Sequence, residues 1–386
     1  MTNAHSDKFK PCGIYVHIPF CKSKCNYCAF VSSPDMSCED AYLRTLIGEI
    51  DSSADKHAAV DSIYIGGGTP SCLARGELCK IFDSLDAAFD IADDCEITVE
   101  TNPESCSDGF ISECLDCGVN RVSMGLQSSD DSVLKAIGRI HDFSDFVAAA
   151  ERLCQKFDNV SSDLILGLPE QGMRDVEKSI DVFSRYCSHA SVYALTVENG
   201  TPLALCGYKA NDDAVADLYD RACEKLKAAG FCRYEVSNFA RRGRESRHNK
   251  KYWECEKYIG LGVAAHGYDG MCTRYRHSDN IAEYIANPSV TATQLDAADL
   301  YNEYVMLRLR TEKGIELDTF RKRFGYPFAA VNGNSDKLKR MEADGLIICD
   351  GGSVRISPRY MFVMNGIIEE LMLDRETDMQ IIAEDC

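Results

Sequence analysis

Short runs of β-branched and aromatic residues alternate with longer amphipathic stretches through the first half of this chain. The runs predict six strands, at residues 13–18, 60–67, 95–101, 118–125, 159–169 and 189–197. The stretches between most of them predict helices, at about residues 39–54, 74–88, 107–117, 143–156 and 173–186. Such alternation indicates parallel strands joined by right-handed crossovers. Six units are too few for a closed eight-stranded barrel, so the predicted fold class is α/β, a partial (β/α)6 TIM-like barrel.

Polar or glycine-rich residues follow each of the first five predicted strands. They are the cysteines of residues 21–28, the segment GGGTPS, Glu100, Gln127 and residues 167–169. The carboxyl ends of parallel strands meet at one rim of a barrel, which is where such folds carry their functional groups. We therefore expect a single site at that rim.

The second half of the chain has a different pattern. A basic segment, RRGRESRHNKKYW, interrupts an acidic sequence, and residues 296–386 predict helix, turn, helix, a two-stranded wing and a last helix. We predict a barrel domain over residues 8–240 and a smaller winged-helix-like α+β domain over residues 241–386.

Composition excludes some classes of function. The formal net charge of −19 disfavours a nucleic acid partner, because a polyanion repels phosphate backbones. No apolar run approaches the roughly 18 residues of a membrane span, and the polar start MTNAHSDKFKPCG lacks the apolar core of a secretory signal. The sequence predicts a cytoplasmic protein, with membrane association only through a partner.

The 20 cysteines are a second unusual feature. In a long chain of this class thiols and metal ligands are expected rather than disulfides. Outside the run of residues 21–28 we expect most cysteines to be buried small apolar side chains. Cys114 and Cys117 form a Cys-x-x-Cys pair late in a predicted helix, with no second pair nearby, so we expect no metal there.

Cys21, Cys25 and Cys28 carry the chemistry in this interpretation. Their spacing lets one loop present three thiolates to an iron–sulfur cube while the fourth iron stays without a protein ligand. S-adenosylmethionine can chelate such an iron through its amine and carboxylate, and an electron passed to its sulfonium releases a 5′-deoxyadenosyl radical. The alternatives are a zinc site completed by His17 and a cluster used only for electron transfer.

The segment GIYVHIPFCKSKCNYCAF resembles the opening motif of the radical S-adenosylmethionine superfamily, and more narrowly the branch that holds HemN and HemW. The likeness continues in order over nearly the whole chain. It runs through YIGGGTPS, TVETNPES, GVNRVSMGLQS, IGRIH, DLILGLP, YALTVENGTPL, YEVSNFA and SRHNKKYW.

The resemblance implies a role for several residues around the first cofactor. It places Tyr15 beside the cofactor, the turn of Gly67, Gly68 and Thr69 at the methionyl ammonium, and Glu100 at the ribose hydroxyls. Glycines permit close backbone approach, and a carbonyl is a natural partner for an ammonium. Without the resemblance, GGGTPS also fits a plain tight turn after a strand.

A second S-adenosylmethionine site is also implied. In the dehydrogenase of this branch, four positions meet a second cofactor, and they correspond here to Tyr27, Gln127, Arg139 and Asp163. The alternative is that these are ordinary rim residues of the barrel.

Two departures favour the haem chaperones of the branch over its dehydrogenase, coproporphyrinogen III dehydrogenase. Phe30 stands where the dehydrogenase has a fourth cysteine, and only 14 residues precede Tyr15. The expected function is a chaperone that binds a [4Fe-4S] cluster, S-adenosylmethionine and haem and delivers haem to a respiratory protein. A reductant such as flavodoxin or ferredoxin is implied for turnover. Radical decarboxylation of coproporphyrinogen III and radical methyl transfer are the alternatives.

The motif HNKKYW fits the same chaperone branch. His248 has a side chain that can ligate haem iron, and Tyr252 and Trp253 offer flat apolar faces. His266 competes as a ligand. Without the resemblance, the segment also fits a loop that tethers the C-terminal domain. Four arginines suit haem propionates, namely Arg241, Arg242, Arg244 and Arg247.

Overall fold

The computed structural model describes residues 11–331 and 333–374. Six parallel strands lie side by side in chain order. They are β1 (Cys12–Ile18), β2 (Asp55–Gly67), β3 (Phe89–Thr101), β4 (Arg121–Gln127), β5 (Val160–Leu166) and β6 (His189–Ala194). This order confirms the predicted partial barrel.

Helices connect these strands on the outside of the sheet. They are α1 (Glu39–Ser52), α2 (Glu77–Ala88), α3 (Asp108–Asp116), α4 (Asp131–Ala136), α5 (Phe143–Cys154) and α6 (Met173–Tyr186). Their apolar side chains recur at helical spacing: in α6, Val176, Ile180 and Phe183 are all fully buried. A continuous apolar layer therefore covers the outer face of the sheet. The loops that follow the carboxyl ends of the strands remain available to form a site.

Further strands extend both edges of this sheet. After α7 (Pro202–Leu205) and α8 (Asp212–Ala228), β8 (Asn238–Ala240) pairs antiparallel with β6 and with β7 (Cys232–Arg233). On the other edge, β9 (Tyr258–Leu261) pairs parallel with β1. The antiparallel strands that follow it are β10 (His266–Tyr268), β11 (Thr273–His277) and β12 (Val290–Gln294), and the helices in this region are α9 (Arg247–Trp253) and α10 (Ile281–Ala286).

The twelve-stranded sheet extends past the predicted domain boundary. We predicted a boundary between residues 240 and 241, yet β9 to β12 continue the large sheet. A separate three-stranded sheet begins only after β12, whereas the second apolar core also includes Cys255, Tyr258 and Tyr268, which precede β12. The predicted outer limits, residues 8 and 386, lie outside the described residues.

The C-terminal region contains the small sheet and helices of the predicted winged-helix-like domain, but three helices precede the β14–β15 pair where two were predicted, and β13 lies between the first two. Its wing contains three strands in the order β13–β15–β14, where two were predicted. The elements are α11 (Ala297–Leu309), β13 (Ile315–Glu316), α12 (Leu317–Phe324), α13 (Asn334–Ala343), β14 (Ile347–Cys349), β15 (Ser353–Ile356) and α14 (Met364–Glu369).

The expectation for the remaining cysteines was wrong. Cys79 and Cys117 form a disulfide, so the predicted Cys-x-x-Cys pair is divided between a disulfide and the buried Cys114. Outside the three-cysteine loop, the buried free cysteines of the described chain are Cys12, Cys95, Cys106, Cys114, Cys187 and Cys255, a minority of the seventeen. Across residues 11–331 and 333–374, no helix combines the length and apolar character needed to cross a membrane.

Candidate cofactor site

A cavity of about 500 Å³ opens at the carboxyl ends of the parallel strands. Eleven of the twelve residues predicted for the cluster and its cofactor line it, namely Cys21, Cys25, Tyr27, Cys28, Gly67, Gly68, Thr69, Glu100, Gln127, Arg139 and Asp163. The twelfth, Tyr15, lies inside the barrel, where its hydroxyl is 3.0 Å from Nδ1 of His17. The fold thus brings together residues that span nearly 150 positions of the sequence.

The three cysteines stand on one loop that the neighbouring turn holds in place. Backbone N–H groups of Gly68 and Thr69 donate to the carbonyls of Ile18 and Phe20, both at 2.7 Å. The Thr69 hydroxyl donates to Sγ of Cys21 at 3.4 Å. These bonds hold the cysteine loop against the end of β2. The end of β2 also borders the cavity.

The surroundings of Cys21 and Cys28 disfavour their free thiolates. Burial raises the pKa of Cys21 and of Cys28, and the nearby charge of Cys25 raises both further. Nη1 of Arg139 lies 3.6 Å from Sγ of Cys25. Because the three sulfur charges repel one another, a cationic group bound among them would stabilise all three as thiolates.

The zinc alternative required His17 as a fourth ligand. The imidazole is buried, and both of its nitrogens have partners: Nδ1 meets the Tyr15 hydroxyl and Nε2 lies 2.9 Å from the carbonyl of Val31. In the described chain, no group of three or more His, Cys, Asp or Glu side chains surrounds a single ion position. His17 therefore offers no free nitrogen to the cysteine loop.

The glycine turn after β2 is packed more tightly than any other residue would allow. Gly67 has φ of +107°, and a Cβ there would lie 2.4 Å from the His17 ring. A Cβ on Gly68 would lie 2.7 Å from the carbonyl oxygen of Phe20. The segment thus forms the tight turn that was the alternative interpretation of GGGTPS. Its backbone also borders the cavity.

Glu100 is held at the end of β3 by two donors. Its Oε1 accepts from the Tyr64 hydroxyl at 2.6 Å and its Oε2 from the Gly67 N–H at 3.1 Å. Burial raises the pKa of this carboxyl to about 7, while the Tyr64 hydroxyl acts in the opposite direction. The carboxylate is fixed in orientation before any ligand arrives.

Unpartnered polar atoms show that the cavity suits a polar ligand. Oε1 of Gln127, Nε of Arg139 and Oδ1 of Asp163 are buried without a hydrogen-bond partner. Each such atom costs on the order of 1–3 kcal/mol. Gln127 also adopts a φ of +69°, a conformation that non-glycine residues seldom take. A ligand with several donors and acceptors, such as S-adenosylmethionine, would satisfy these groups.

Asn102 is a site residue that the sequence reasoning missed. Its Nδ2 donates to the Thr69 hydroxyl at 2.9 Å, and its Oδ1 accepts from Nη2 of Arg139 at 2.9 Å. The amide therefore links the glycine turn to the guanidinium beside Cys25. The available signal was its place two residues after Glu100 in TVETNPES, which puts both at the same strand end.

The HNKKYW segment lies at the opposite end of the barrel. It forms α9, whose His248 has Nδ1 3.1 Å from the Ser62 hydroxyl, near the start of the parallel part of β2. Glu96 accepts from the backbone N–H of His248 at 3.2 Å. The helix closes the amino ends of the strands, and His248 is only 1% exposed.

His248 has no free nitrogen in this conformation. Its Nε2 lies 2.8 Å from the hydroxyl of Tyr252, one turn along the same helix. Burial lowers the pKa of His248 to about 3, so the imidazole stays neutral, the form that ligates metals. His266, the competing ligand, is exposed on β10.

Tyr64 connects the two ends of the barrel. Its hydroxyl binds Glu100 in the cavity, and its ring centroid lies 5.5 Å from that of His248. The His248 ring in turn meets Tyr252 edge to face at 5.1 Å. The predicted cofactor pocket and the predicted haem segment are therefore joined by a short column of buried side chains.

Only two of the four arginines near α9 are available to a ligand. Arg241 donates to the carbonyls of Ser184 and Ala229, and Arg247 binds Asp94 at 3.0 Å. Among the described residues, no hydrogen bond or ion pair involves the side chains of Arg242 and Arg244.

Comparisons with known proteins match both the barrel and the C-terminal region of the chain. Residues 15–183 match the model of the Radical SAM superfamily, and residues 295–363 match the HemN C-terminal domain. The "Heme chaperone HemW" of Mycobacterium tuberculosis is 34% identical over 94% of this chain and 95% of that protein. The protein of the same name from Escherichia coli is 35% identical over 67% of this chain and 71% of its own length.

A solved structure shares the whole fold. Coproporphyrinogen III oxidase (HemN) from Escherichia coli, described as a radical SAM enzyme, superposes with a TM-score of 0.82 over 97% of this chain and 91% of its own. Its sequence identity is 20%, so this likeness concerns the fold alone.

The Glu100 carboxyl should titrate near pH 7 in the ligand-free protein, because burial disfavours its charged form. Tyr64→Phe removes a donor to the carboxylate, and we expect it to raise that pKa by about one unit. Infrared difference spectra across pH follow the carboxyl band, which Glu100→Gln identifies. Tyr208→Phe is the control, because the hydroxyl that it removes donates to the carbonyl of Gly167 rather than to Glu100. An unchanged titration in Tyr64→Phe would contradict the prediction.

Proposed function

This chain belongs to the radical S-adenosylmethionine superfamily, in the family of the heme chaperone HemW, and from that premise we propose that it binds haem and passes it to a recipient protein. The observation that carries the proposal is likeness at full length: identity to the Mycobacterium tuberculosis heme chaperone extends over 94% of the chain. A haem-receiving respiratory protein and an electron donor are the partners this function requires.

We propose that Cys21, Cys25 and Cys28 ligate a [4Fe-4S] cluster, as in other members of the superfamily. The supporting observations are their shared loop and their common border on the cavity, together with the raised pKa values of Cys21 and Cys28, which thiolate ligation would relieve. Phe30 is 68% exposed and provides no ligand. When bound, the cluster supplies an electron to S-adenosylmethionine at the iron that lacks a protein ligand.

The residues around the cysteine loop have distinct tasks in this proposal. The backbone of Gly67 and Gly68, with Thr69, receives the methionyl ammonium. Glu100 accepts from the ribose hydroxyls, for which its carboxylate is already oriented by two donors. Tyr15 supports the cofactor from inside the barrel, through its contact with His17.

We assign Tyr27, Gln127, Arg139 and Asp163 to the part of the cavity that a second S-adenosylmethionine would occupy. Three of the four carry a buried polar atom without a partner, which supports a ligand contact over the alternative of ordinary rim residues. Arg139 also lies next to Cys25, so it links this region to the cluster loop.

Haem is assigned to the outer side of α9. Trp253, half-buried at the end of the helix, provides the flat apolar contact in this proposal, and Arg242 and Arg244 pair with the propionates. Ligation by His248, whose ring is buried on the barrel side of α9, requires that Tyr252 release Nε2 and that the imidazole become accessible to haem. This requirement is specific to the structure and gives the haem assignment a direct test.

Replacing Cys21, Cys25 or Cys28 by alanine should remove nearly all of the about four irons per chain, together with the broad visible absorbance. Iron analysis and spectra of the anaerobically reconstituted protein measure this. Cys72→Ala is the matched control, because its thiol lies beside the loop and accepts from the Lys22 N–H. Iron that remains when all three cysteines are replaced together would refute the ligand assignment.

Hemin titration should produce a Soret shift in the wild-type protein that His248→Ala abolishes. Tyr252→Phe frees Nε2 of His248 while it keeps the aromatic ring, so we expect about fivefold tighter binding, the equivalent of one hydrogen bond of about 1 kcal/mol. His266→Ala is the comparison variant. A shift that persists in His248→Ala and disappears in His266→Ala would transfer the ligand role to His266.

A further inference from the structure

In the part of the chain that the structure describes, one disulfide stands among seventeen free cysteines. It joins Cys79, in the first turn of α2, to Cys117, which directly follows α3. In the reducing cytoplasm predicted for this chain, a disulfide is usually transient and either catalytic or redox-sensing. The pair is therefore a candidate site of thiol–disulfide exchange.

The disulfide lies where a reductant can reach it. Both cysteines are half-buried, and their chain neighbours Lys80 and Asp116 are exposed. Exposed disulfides are the more easily reduced class, whereas enclosed ones serve as structural cross-links. Cys114, one turn before Cys117, is fully buried, and burial raises the pKa of its thiol. Cys114 therefore does not compete as a nucleophile in the exchange.

The helices α2 and α3 also hold together without the disulfide. Oε1 of Glu113, on α3, accepts from the backbone N–H groups of Gly76 and Leu78 at 3.0 and 3.1 Å. Leu78 of α2 and Ile111 of α3 are buried in the same apolar core. Opening the disulfide therefore loosens the contact between the two helices but does not remove it.

The two helices continue from segments that border the cofactor cavity. The chain enters α2 from the glycine turn after β2 and enters α3 from the segment after β3. The hydroxyls of Ser71 and Ser105 lie 2.6 Å apart, and the Thr101 hydroxyl donates to Oγ of Ser71 at 2.8 Å. The two segments are thus joined by hydrogen bonds near the cavity and by the disulfide between their helices, so a change in helix spacing reaches both.

We propose that Cys79 and Cys117 form a reversible redox site, which a dithiol reductant of the thioredoxin class opens, and whose closed form favours binding of S-adenosylmethionine. In the exchange the bond between the two cysteine sulfurs breaks and a disulfide forms in the reductant. Two electrons and two protons pass from the reductant to the cysteine pair. The inference rests on the proposed function only in its last part, the effect on S-adenosylmethionine.

The test compares the oxidised full-length protein with protein that has been treated anaerobically with reduced thioredoxin and then freed of it. Alkylation and mass spectrometry should show that both thiols of the pair become free while the protein stays folded. Because the tie between α2 and α3 is lost, deuterium exchange should rise in peptides that cover residues 67–79 and 101–117. The thermal midpoint should fall by a few degrees.

The effect on the cavity is measured by S-adenosylmethionine binding to the reconstituted protein in its two redox forms. We expect about fivefold weaker binding in the reduced form, at the low end of typical coupling between sites. Cys79→Ser should behave as the reduced wild type does, with or without thioredoxin. Cys232→Ser removes an exposed free thiol on β7 and is the matched control, which should respond to thioredoxin as the wild type does.

Several results would overturn the proposal. A bond that thioredoxin leaves intact in the folded protein would make the pair a structural cross-link. Opening by glutathione at the same rate would remove the assignment to a dithiol reductant. Equal S-adenosylmethionine affinity in the two forms, or unchanged deuterium exchange in the two segments, would remove the coupling to the cavity. If neither form assembles a cluster or binds S-adenosylmethionine, the proposed function fails, while the thiol counts and deuterium exchange still decide the redox site.

Discussion

The close approach of two loops organises this molecule. The turn after β2 packs against the cysteine loop after β1 so tightly that a Cβ at Gly67 or Gly68 would penetrate its neighbours. The hydrogen bonds from Gly68 and Thr69 to the other loop depend on that approach. Without it, Glu100 would lose its bond to the Gly67 N–H, and the thiols would lose their place beside the cavity.

The barrel separates two proposed sites and joins them through its interior. The cavity lies at the carboxyl ends of the strands, and α9 closes the amino ends. Between them Tyr64 touches Glu100 with its hydroxyl and His248 with its ring. This interior is polar where most barrel cores are apolar, because both ends place hydrogen-bonding groups inside it. Tyr64 therefore contacts residues of both ends of the barrel.

Sequence reasoning succeeded where a pattern is local and failed where burial decides. The strand and helix order was predictable because its periodicity is present in neighbouring residues, and eleven of the twelve residues that the resemblance named line one cavity. His248 was considered as a ligand from its motif alone, but the fold occupies both of its nitrogens. Arg241 and Arg247 were likewise already engaged by carbonyls and by Asp94. The boundary near residue 240 missed β9 because a parallel partner for β1 leaves no local signal.

The sequence by itself determined the chemistry available: three cysteines within eight residues, glycines at a strand end, and a family likeness along nearly the whole chain. Tertiary structure decided which of these side chains a ligand or a partner can reach. It left the lysines of the cysteine loop exposed, enclosed His248 and paired Cys79 with Cys117. Access depends on which distant residues pack together, and packing is a property of the whole chain rather than of any segment.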